Sequence, residues 1–405
     1  MLTRRTFLQS AAVALAASRV AADTPITGTA DAKFAPFDKF MTGFLDDHKV
    51  PGAALAVGRH GKLVYSRGFG YADADRKVKL EPDALFRIAS VSKPLTAVGV
   101  LQLAEKGKIK LDDPILKHVP LKPHLAPGDK ADPRLDDVTV RHCLQHIGGW
   151  DRDKSGDPIG IPKKIADALK LDLPVPPEAV VRYTLGRPLD FDPGTKYAYS
   201  NVGYLLLGRA IESASGQKYE EYIRKEVLKP VGVTRAALGR ALPENRAKGE
   251  VSYFDLKGRK GPCVYPPRVG EQVPLPDGQF NQEGYEAHGG WIASAEDLVR
   301  FAAAFDDPAA GKLLREKSIV TMWERPKLKE KDVYYGCGWQ VRSAGKGINV
   351  WHNGLIPGTA ALLVRRHDRL VWAVLFNASH DPDGKYLAEA IDPLVHKAAD
   401  AVDWK

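Results

Sequence analysis

Apolar residues recur along this chain with two different periods. Phe37, Phe40, Met41, Phe44 and Leu45 fall three and four apart, which predicts an amphipathic helix over 37–49. Two short apolar runs follow, 53–58 and 62–70, and read as strands. Arg59-His60-Gly61 between them reads as a hairpin turn whose glycine takes positive φ. An extended segment over 84–89 then runs into an almost wholly apolar helical stretch, 94–105. From 111 to 284 the texture changes to proline, glycine and charge, with helical islands predicted at 139–146, 177–185, 202–214 and 218–228. Asn201 and Gly216 serve as start and stop signals of the third island. Strand texture returns over 336–341, 347–352, 359–364 and 370–377, with Asp368 and Arg369 marking the last turn. An amphipathic helix over about 385–401 closes the pattern.

Strands at both ends with helices between them predict an α+β fold. Its antiparallel sheet is built from the N- and C-terminal segments and flanked by helices, with a mostly helical inserted domain beside it. The expected boundaries are a mobile linker at 23–35, an α/β part made of 36–110 and 285–405, and the insert at 111–284. A cleft between two such parts is a usual place for a site.

Composition narrows the class. Apolar residues at 44% and charged residues at 27% are those of a soluble globular protein. The net charge is +9, but the lysines and arginines are scattered rather than clustered, which argues against nucleic acid. Residues 1–22 carry Arg4-Arg5, a short apolar run over 11–17 and small residues at Ala21-Ala22. That is the pattern of a twin-arginine-type export signal, so a periplasmic or secreted protein is expected. The run is too short to span a bilayer, and no other stretch reads as a span. Cys143, Cys263 and Cys337 are odd in number and far apart, against a disulfide framework. Cys143 and Cys337 read as small buried apolar residues. His142 and His146 are four apart but lack a third ligand, so packing or capping is expected rather than metal.

Candidate chemistry begins at Ser90-Val91-Ser92-Lys93, where the extended segment meets the apolar helix. Positions three apart share a helix face, so Lys93 can reach back to the Ser90 hydroxyl. The unpaired N–H groups of a helix start suit a developing oxyanion. A hydroxyl, an amine within reach and an anion-friendly helix end make an activated nucleophile for acyl transfer. Ser-x-x-Lys also occurs at Ser215 and Ser343, after a helix and in a turn, and only the first match opens a helix. The plain alternative is an N-cap serine with a solvated lysine one turn on.

Two further constellations lie downstream. Tyr199-x-Asn201 occurs once, after the turn at Pro193-Gly194. A phenol beside a lysine ammonium is expected to lose its proton more easily, serving as base on the serine and acid on a leaving group. Asn201 would orient substrate or hold the lysine; alternatively it caps the next helix while Tyr199 packs. His352-Asn353-Gly354 ends a predicted strand and Leu355 leads into the next. The glycine allows close approach to the backbone. An N–H near Leu355 would complete an oxyanion hole with the Ser90 N–H. The plain alternative for His352 is a partly buried strand histidine, since His-x-Gly recurs at His146 and His288.

The order Ser-x-x-Lys, Tyr-x-Asn, His-x-Gly resembles the serine β-lactamase and penicillin-binding-protein-like superfamily. It looks most like the branch of class C β-lactamases, D-alanyl-D-alanine carboxypeptidases and β-lactamase-like esterases. Phe86-Arg87-Ile88-Ala89, the 138–146 segment, Pro193-Gly194 and the 289–298 segment fit the same branch. The resemblance covers roughly 36–400. It implies an exported serine hydrolase with Ser90 as acylated nucleophile, Lys93 as base or proton relay and Tyr199 as acid/base. Asn201 would contact a substrate amide or support Lys93. His352, with Asn353 beside it, would stand in for the lysine of a Lys-Thr-Gly strand, Gly354 would keep the strand edge open, and the N–H groups of Ser90 and Leu355 would form the oxyanion hole. No metal or organic cofactor is implied. The expected partners are a small ester, D-amino-acid peptide or β-lactam, and cell-wall fragments. A histidine offers substrate carboxylates less charge than lysine at neutral pH, and Asn353 lacks a threonine hydroxyl, which ranks esters first and β-lactams last. His146-Ile147-Gly148-Gly149-Trp150 also departs from the His-Thr-Ser-Gly of many relatives. A non-catalytic binder of cell-wall polymer and an acyltransferase remain alternatives at this stage.

Overall fold

Runs such as 53–57, 360–364 and 371–375 are apolar at every position, which is how a strand reads when both its faces are covered. The protein is described by a computed structural model over residues 24–328, 332–345 and 347–404. In chain order, β1 (Ile26–Thr27), β2 (Gly52–Arg59) and β3 (Lys62–Gly70) come first, and β4 (Phe86–Arg87) leads to Ser90. The short β5 (Ala237–Leu238), β6 (Lys260–Pro262), β7 (Gln272–Pro274) and β8 (Trp291–Ala293) lie in the middle. Then β9 (Val333–Tyr335), β10 (Gln340–Ala344), β11 (Gly347–Ile356), β12 (Thr359–Arg365) and β13 (Leu370–Phe376) follow.

The main sheet has the order β1-β3-β2-β13-β12-β11-β10-β9, antiparallel throughout. Its two ends of chain are joined by the β2–β13 ladder, with Ala56 opposite Ala373. The fold is thus α+β with a sheet drawn from both termini. Alternation along β2 sends Ala53, Leu55 and Val57 into one core, with the helices Ala35–His48 and Leu387–Asp400. It sends Ala54 and Ala56 into the other, with the helices Ser92–Glu105, Asn201–Ser215 and Ala295–Ala303. At the β2–β3 turn both His60 (φ 49°) and Gly61 (φ 79°) are left-handed, the conformation a two-residue hairpin needs.

The helix Ser92–Glu105 has no side-chain cap, and its residues from Ser92 to Leu103 are all buried. Packing fixes it rather than capping: each buried Leu or Val contributes about 1.5–3 kcal/mol, against about 1 kcal/mol for a typical cap. The helix Asn201–Ser215 is capped by Ser200, whose Oγ accepts from Gly203 N–H, and stopped by Gly216 at φ 73°. The capping role offered as an alternative for Asn201 therefore falls to its neighbour.

Three stretches differ from expectation. Residues 24–35 are anchored at two points, by β1 on β3 and by Phe34 buried beside the helix Ala35–His48, with 28–33 exposed between them. Over 336–341 only Gln340 and Val341 are strand; Gly338 has φ 81°, and a Cβ on Gly336 would lie 2.5 Å from Met322 O. The extended segment at 84–89 is strand only at β4. Among the described residues no helix is long and apolar enough to cross a membrane. The expected export signal, residues 1–22, lies outside the described residues.

Candidate active site

β4 delivers the chain to Ala89, whose φ of 46° is left-handed although the residue carries a Cβ. Such a conformation costs roughly 1–2 kcal/mol. It turns the backbone so that Ser90, in the 3₁₀ turn Ala89–Val91, stands at the mouth of the Ser92–Glu105 helix. The strand β11 closes against this turn. A Cβ on Gly354 would lie 2.3 Å from Ile88 O and 3.2 Å from Ala89 Cβ, so only glycine fits there. Tyr386 OH donates to Gly354 O at 2.8 Å and holds the strand in place.

Ser90 Oγ lies 3.1 Å from Lys93 Nζ and accepts a hydrogen bond from Tyr199 OH at 2.8 Å. Lys93, fully buried, donates to Asn201 Oδ1 and to His288 O, each at 2.8 Å. Asn201 Nδ2 in turn donates to Asp157 Oδ2 at 2.7 Å. The side chains of Ser90, Lys93, Tyr199 and Asn201 therefore form one connected cluster.

Burial decides the charge state of that cluster. It drives the Lys93 ammonium well below its ordinary range, with Asp157 opposing and Arg152 assisting. Burial also pushes the Tyr199 phenol above its ordinary range, against the pull of the Ser90 hydrogen bond and of Arg152. This reverses the expectation that a neighbouring ammonium eases deprotonation of the phenol: desolvation outweighs proximity for both groups, and each is shifted toward its neutral form. A neutral amine has two protons, and His288 O and Asn201 Oδ1 take both. The remaining lone pair faces Ser90 Oγ, which is the arrangement a general base requires.

The strand side is different. His352 is buried, its Nε2 lies 2.8 Å from Tyr335 OH and its Nδ1 lies 2.6 Å from Asn353 O. Burial pushes its imidazole down to about 3. Neutral His352 thus donates from Nδ1 to Asn353 O and accepts at Nε2 from Tyr335, with no charge left for a substrate. His352 and Gly354 pair with Leu363 and Ala361, on the sheet face that carries Ser90. Asn353 and Leu355 pair with Leu362 and Ala360, on the outer face. The Asn353 and Leu355 side chains therefore point away from the nucleophile, and only their backbone can serve it. β10 leaves β11 at Gln340 opposite Trp351, so residues 352–356 have a strand partner on one side alone.

Arg152 carried no sequence signal of its role, whereas His142 and His146 cap and pack as expected. The His146 ring packs 4.3 Å from the Tyr199 ring, centroid to centroid, and its Nδ1 accepts from Ser200 N–H at 3.1 Å. Arg152 Cζ lies 4.5 Å over the Tyr199 ring. His142 Nδ1 accepts from Thr139 N–H at 3.3 Å in a capping box, so both histidines of the pair are spent on backbone N–H groups. Two cavities lie in this part of the molecule, of which only the first is lined by a cluster residue. One of about 550 Å³ reaches Asn201, Arg152 and Asp157, and one of about 390 Å³ is walled by Tyr197, Tyr334 and Tyr335. The three cysteines are free and buried, and burial pushes the Cys337 thiol up to about 12, so it offers no thiolate.

An antiparallel sheet closes on a serine at the mouth of a buried helix, with lysine and tyrosine on its hydroxyl, the arrangement of a serine-hydrolase fold. The chain belongs to the β-lactamase family, which matches residues 37–396. It is 33% identical over 285 residues to esterase EstB of Burkholderia gladioli, covering 66% of this chain and 68% of that one. It is 29% identical over 356 residues to penicillin-binding protein 4* of Bacillus subtilis, covering 84% of this chain and 70% of that one. Among solved structures, a penicillin-binding protein homologue from Pyrococcus abyssi superposes with a TM-score of 0.67 at 26% identity, covering 91% of this chain and 78% of that one. The D-amino acid amidase of Ochrobactrum anthropi shares the fold with a TM-score of 0.67 at 23% identity, over 90% of this chain and 98% of that one.

Proposed function

We propose that this chain hydrolyses a small ester, or a D-amino-acid amide or peptide, through an acyl-enzyme on Ser90. The observation that carries the reading is the Ser90 hydroxyl held between a buried Lys93 amine and the Tyr199 phenol. Lys93 takes the Ser90 proton as Oγ attacks the scissile carbonyl. The Ser90 and Leu355 N–H groups receive the oxyanion. Tyr199 gives its proton to the leaving alkoxide or amine, and the Lys93 ammonium then restores the phenol. Water repeats the sequence in reverse on the acyl-enzyme.

The neutral His352, with both nitrogens engaged, supports substrates that present no carboxylate to the strand. That ranks esters and amides ahead of β-lactams, and the relative named an esterase agrees with the ranking. The paired arginines and short apolar run of residues 1–22 support export, which would put cell-wall peptides within reach of the site.

Intact mass after treatment with a fluorophosphonate tests the reading. One adduct on the parent and none on Ser90→Ala is expected, with turnover of p-nitrophenyl esters down at least about 10³-fold in the variant. Undiminished turnover by a folded Ser90→Ala protein would remove Ser90 from the chemistry. Absence of any adduct on the folded parent would favour a binding module of the same fold.

A further inference from the structure

The Lys93–Asn201 hydrogen bond has a direction that Asn201 cannot set by itself. An asparagine amide fills nearly the same space in either of its two orientations, and only its partners decide which end is the acceptor. Facing Asn201 from the other side is Asp157, which opens the 3₁₀ turn Pro158–Gly160. Asp157 Oδ1 accepts from Ile159 N–H at 3.3 Å, and Oδ2 accepts from Asn201 Nδ2 at 2.7 Å. Both of its oxygens are in use as acceptors, and an ionised carboxylate has no proton to offer.

We propose that Asp157 is a positioning residue for the nucleophile: by accepting from Asn201 Nδ2 it fixes that amide and, through it, the direction of the Lys93 lone pair. The proposal rests on the acyl-enzyme reading above. With Asp157 in place, the Asn201 carbonyl faces Lys93 and takes one of its protons, while His288 O takes the other. The lone pair is left for Ser90 Oγ. Without an acceptor-only partner the amide can turn over and present its NH₂ to Lys93. The amine lone pair would then be drawn to Asn201 and away from the serine.

The substitution to asparagine is informative because it preserves shape. A side chain with one oxygen cannot serve Ile159 N–H and Asn201 Nδ2 together. If its oxygen keeps the turn, its NH₂ faces Asn201 and drives the amide into the wrong orientation. Asp157 also supplies the negative charge that bears on Lys93. The other groups facing Lys93 are the rings of Tyr199 and Tyr204, the histidines 146, 288 and 352, which burial keeps neutral, and the cation Arg152. Loss of the Asp157 charge therefore lowers the pH at which Lys93 gains its proton.

The test is hydrolysis of p-nitrophenyl butyrate from pH 4 to 9, expressed per fluorophosphonate-titrated site, by Asp157→Asn, Asp157→Ala, Asp157→Glu and Ser90→Ala. The Asn and Ala variants are expected to lose kcat by about 10–100-fold with KM within about threefold, and to move the acid limb down by about 0.5–1 pH unit. Glu keeps the charge and both acceptors and should recover kcat to within about fivefold, with the limb in its parent position. A kcat within twofold of the parent for Asp157→Asn, with the limb unmoved, overturns the proposal. So does a loss confined to thermal stability or to the number of titratable sites, since that marks a purely structural cap. Turnover by Ser90→Ala would instead sink the acyl-enzyme reading, whatever the Asp157 variants show.

Discussion

The helix Ser92–Glu105 and the strand β11 approach Ser90 from opposite sides, and they bring different things. The helix side brings side chains: Lys93 at 3.1 Å from Ser90 Oγ, with Asn201 and Tyr199 delivered by the segment leading into the helix Asn201–Ser215. The strand side brings backbone. Gly354 is there for want of a Cβ, the Asn353 and Leu355 side chains lie on the outer face, and His352 is uncharged and fully engaged. Proton transfer needs groups whose charge state is tuned by burial, whereas an oxyanion needs N–H groups whose place is fixed. The first is written in residue identity and the second in strand register, so substitutions on the two sides should fail in different ways.

The largest effect is expected from Lys93→Arg. A guanidinium keeps its proton at any working pH and cannot become the base. Turnover should fall by about 10³-fold or more, and a fluorophosphonate should label the variant far more slowly than the parent. A variant that retained a tenth of the parent rate would show that the amine is not the proton acceptor. On the strand side, Gly354→Ala should act through space instead of charge. Its Cβ meets a backbone carbonyl at 2.3 Å, which no rotamer can relieve. Overpacking of this kind costs roughly 1–3 kcal/mol of stability. It should also push β11 from the Ser90 turn and lower kcat by about 10–100-fold. A melting scan and a kcat measurement, both unchanged, would break the claim that close approach of β11 matters.

The same contrast explains what could be read from the residues alone. Ser90 and Lys93, three apart where a 3₁₀ turn runs into a helix, are visible because the chemistry and the helical spacing coincide. Gly216, His60-Gly61 and the strands of the closing meander were visible because turn glycines and buried strands leave local marks. Asp157 and Asn201 are 44 residues apart and are joined only by the way a proline-rich loop packs. Tyr335, which fixes His352, sits in a three-residue strand too short to show a period. Residues 336–339 looked like strand from their apolar texture, but Gly338 at φ 81° makes them a turn. The raised pKa of Tyr199 is not legible in the residues for a related reason. Proximity can be inferred from sequence spacing, but the exclusion of water that outweighs it is a property of the packed core.

The smallest effect is expected at His352, where the two sides meet most directly. Its folded imidazole, pushed down to about 3, stays neutral from pH 5 upward, so it contributes no ionisation to an activity profile in that range. Lys93 is also lowered, and the proposed mechanism uses its neutral form. Activity should therefore be present above the Lys93 transition and lost as the pH falls through it, giving an acid limb that belongs to the lysine. Tyr199 is raised and is proposed to work in its protonated form, which places any alkaline loss beyond the ordinary phenol range. His352→Gln preserves one acceptor for Tyr335 and one donor for Asn353 O. It should change kcat/KM by less than about fivefold and leave the acid limb in place. If the limb moved by a unit or vanished, the imidazole would be the titrating group. The strand would then contribute charge as well as geometry, and the division between the two sides of the site would not hold.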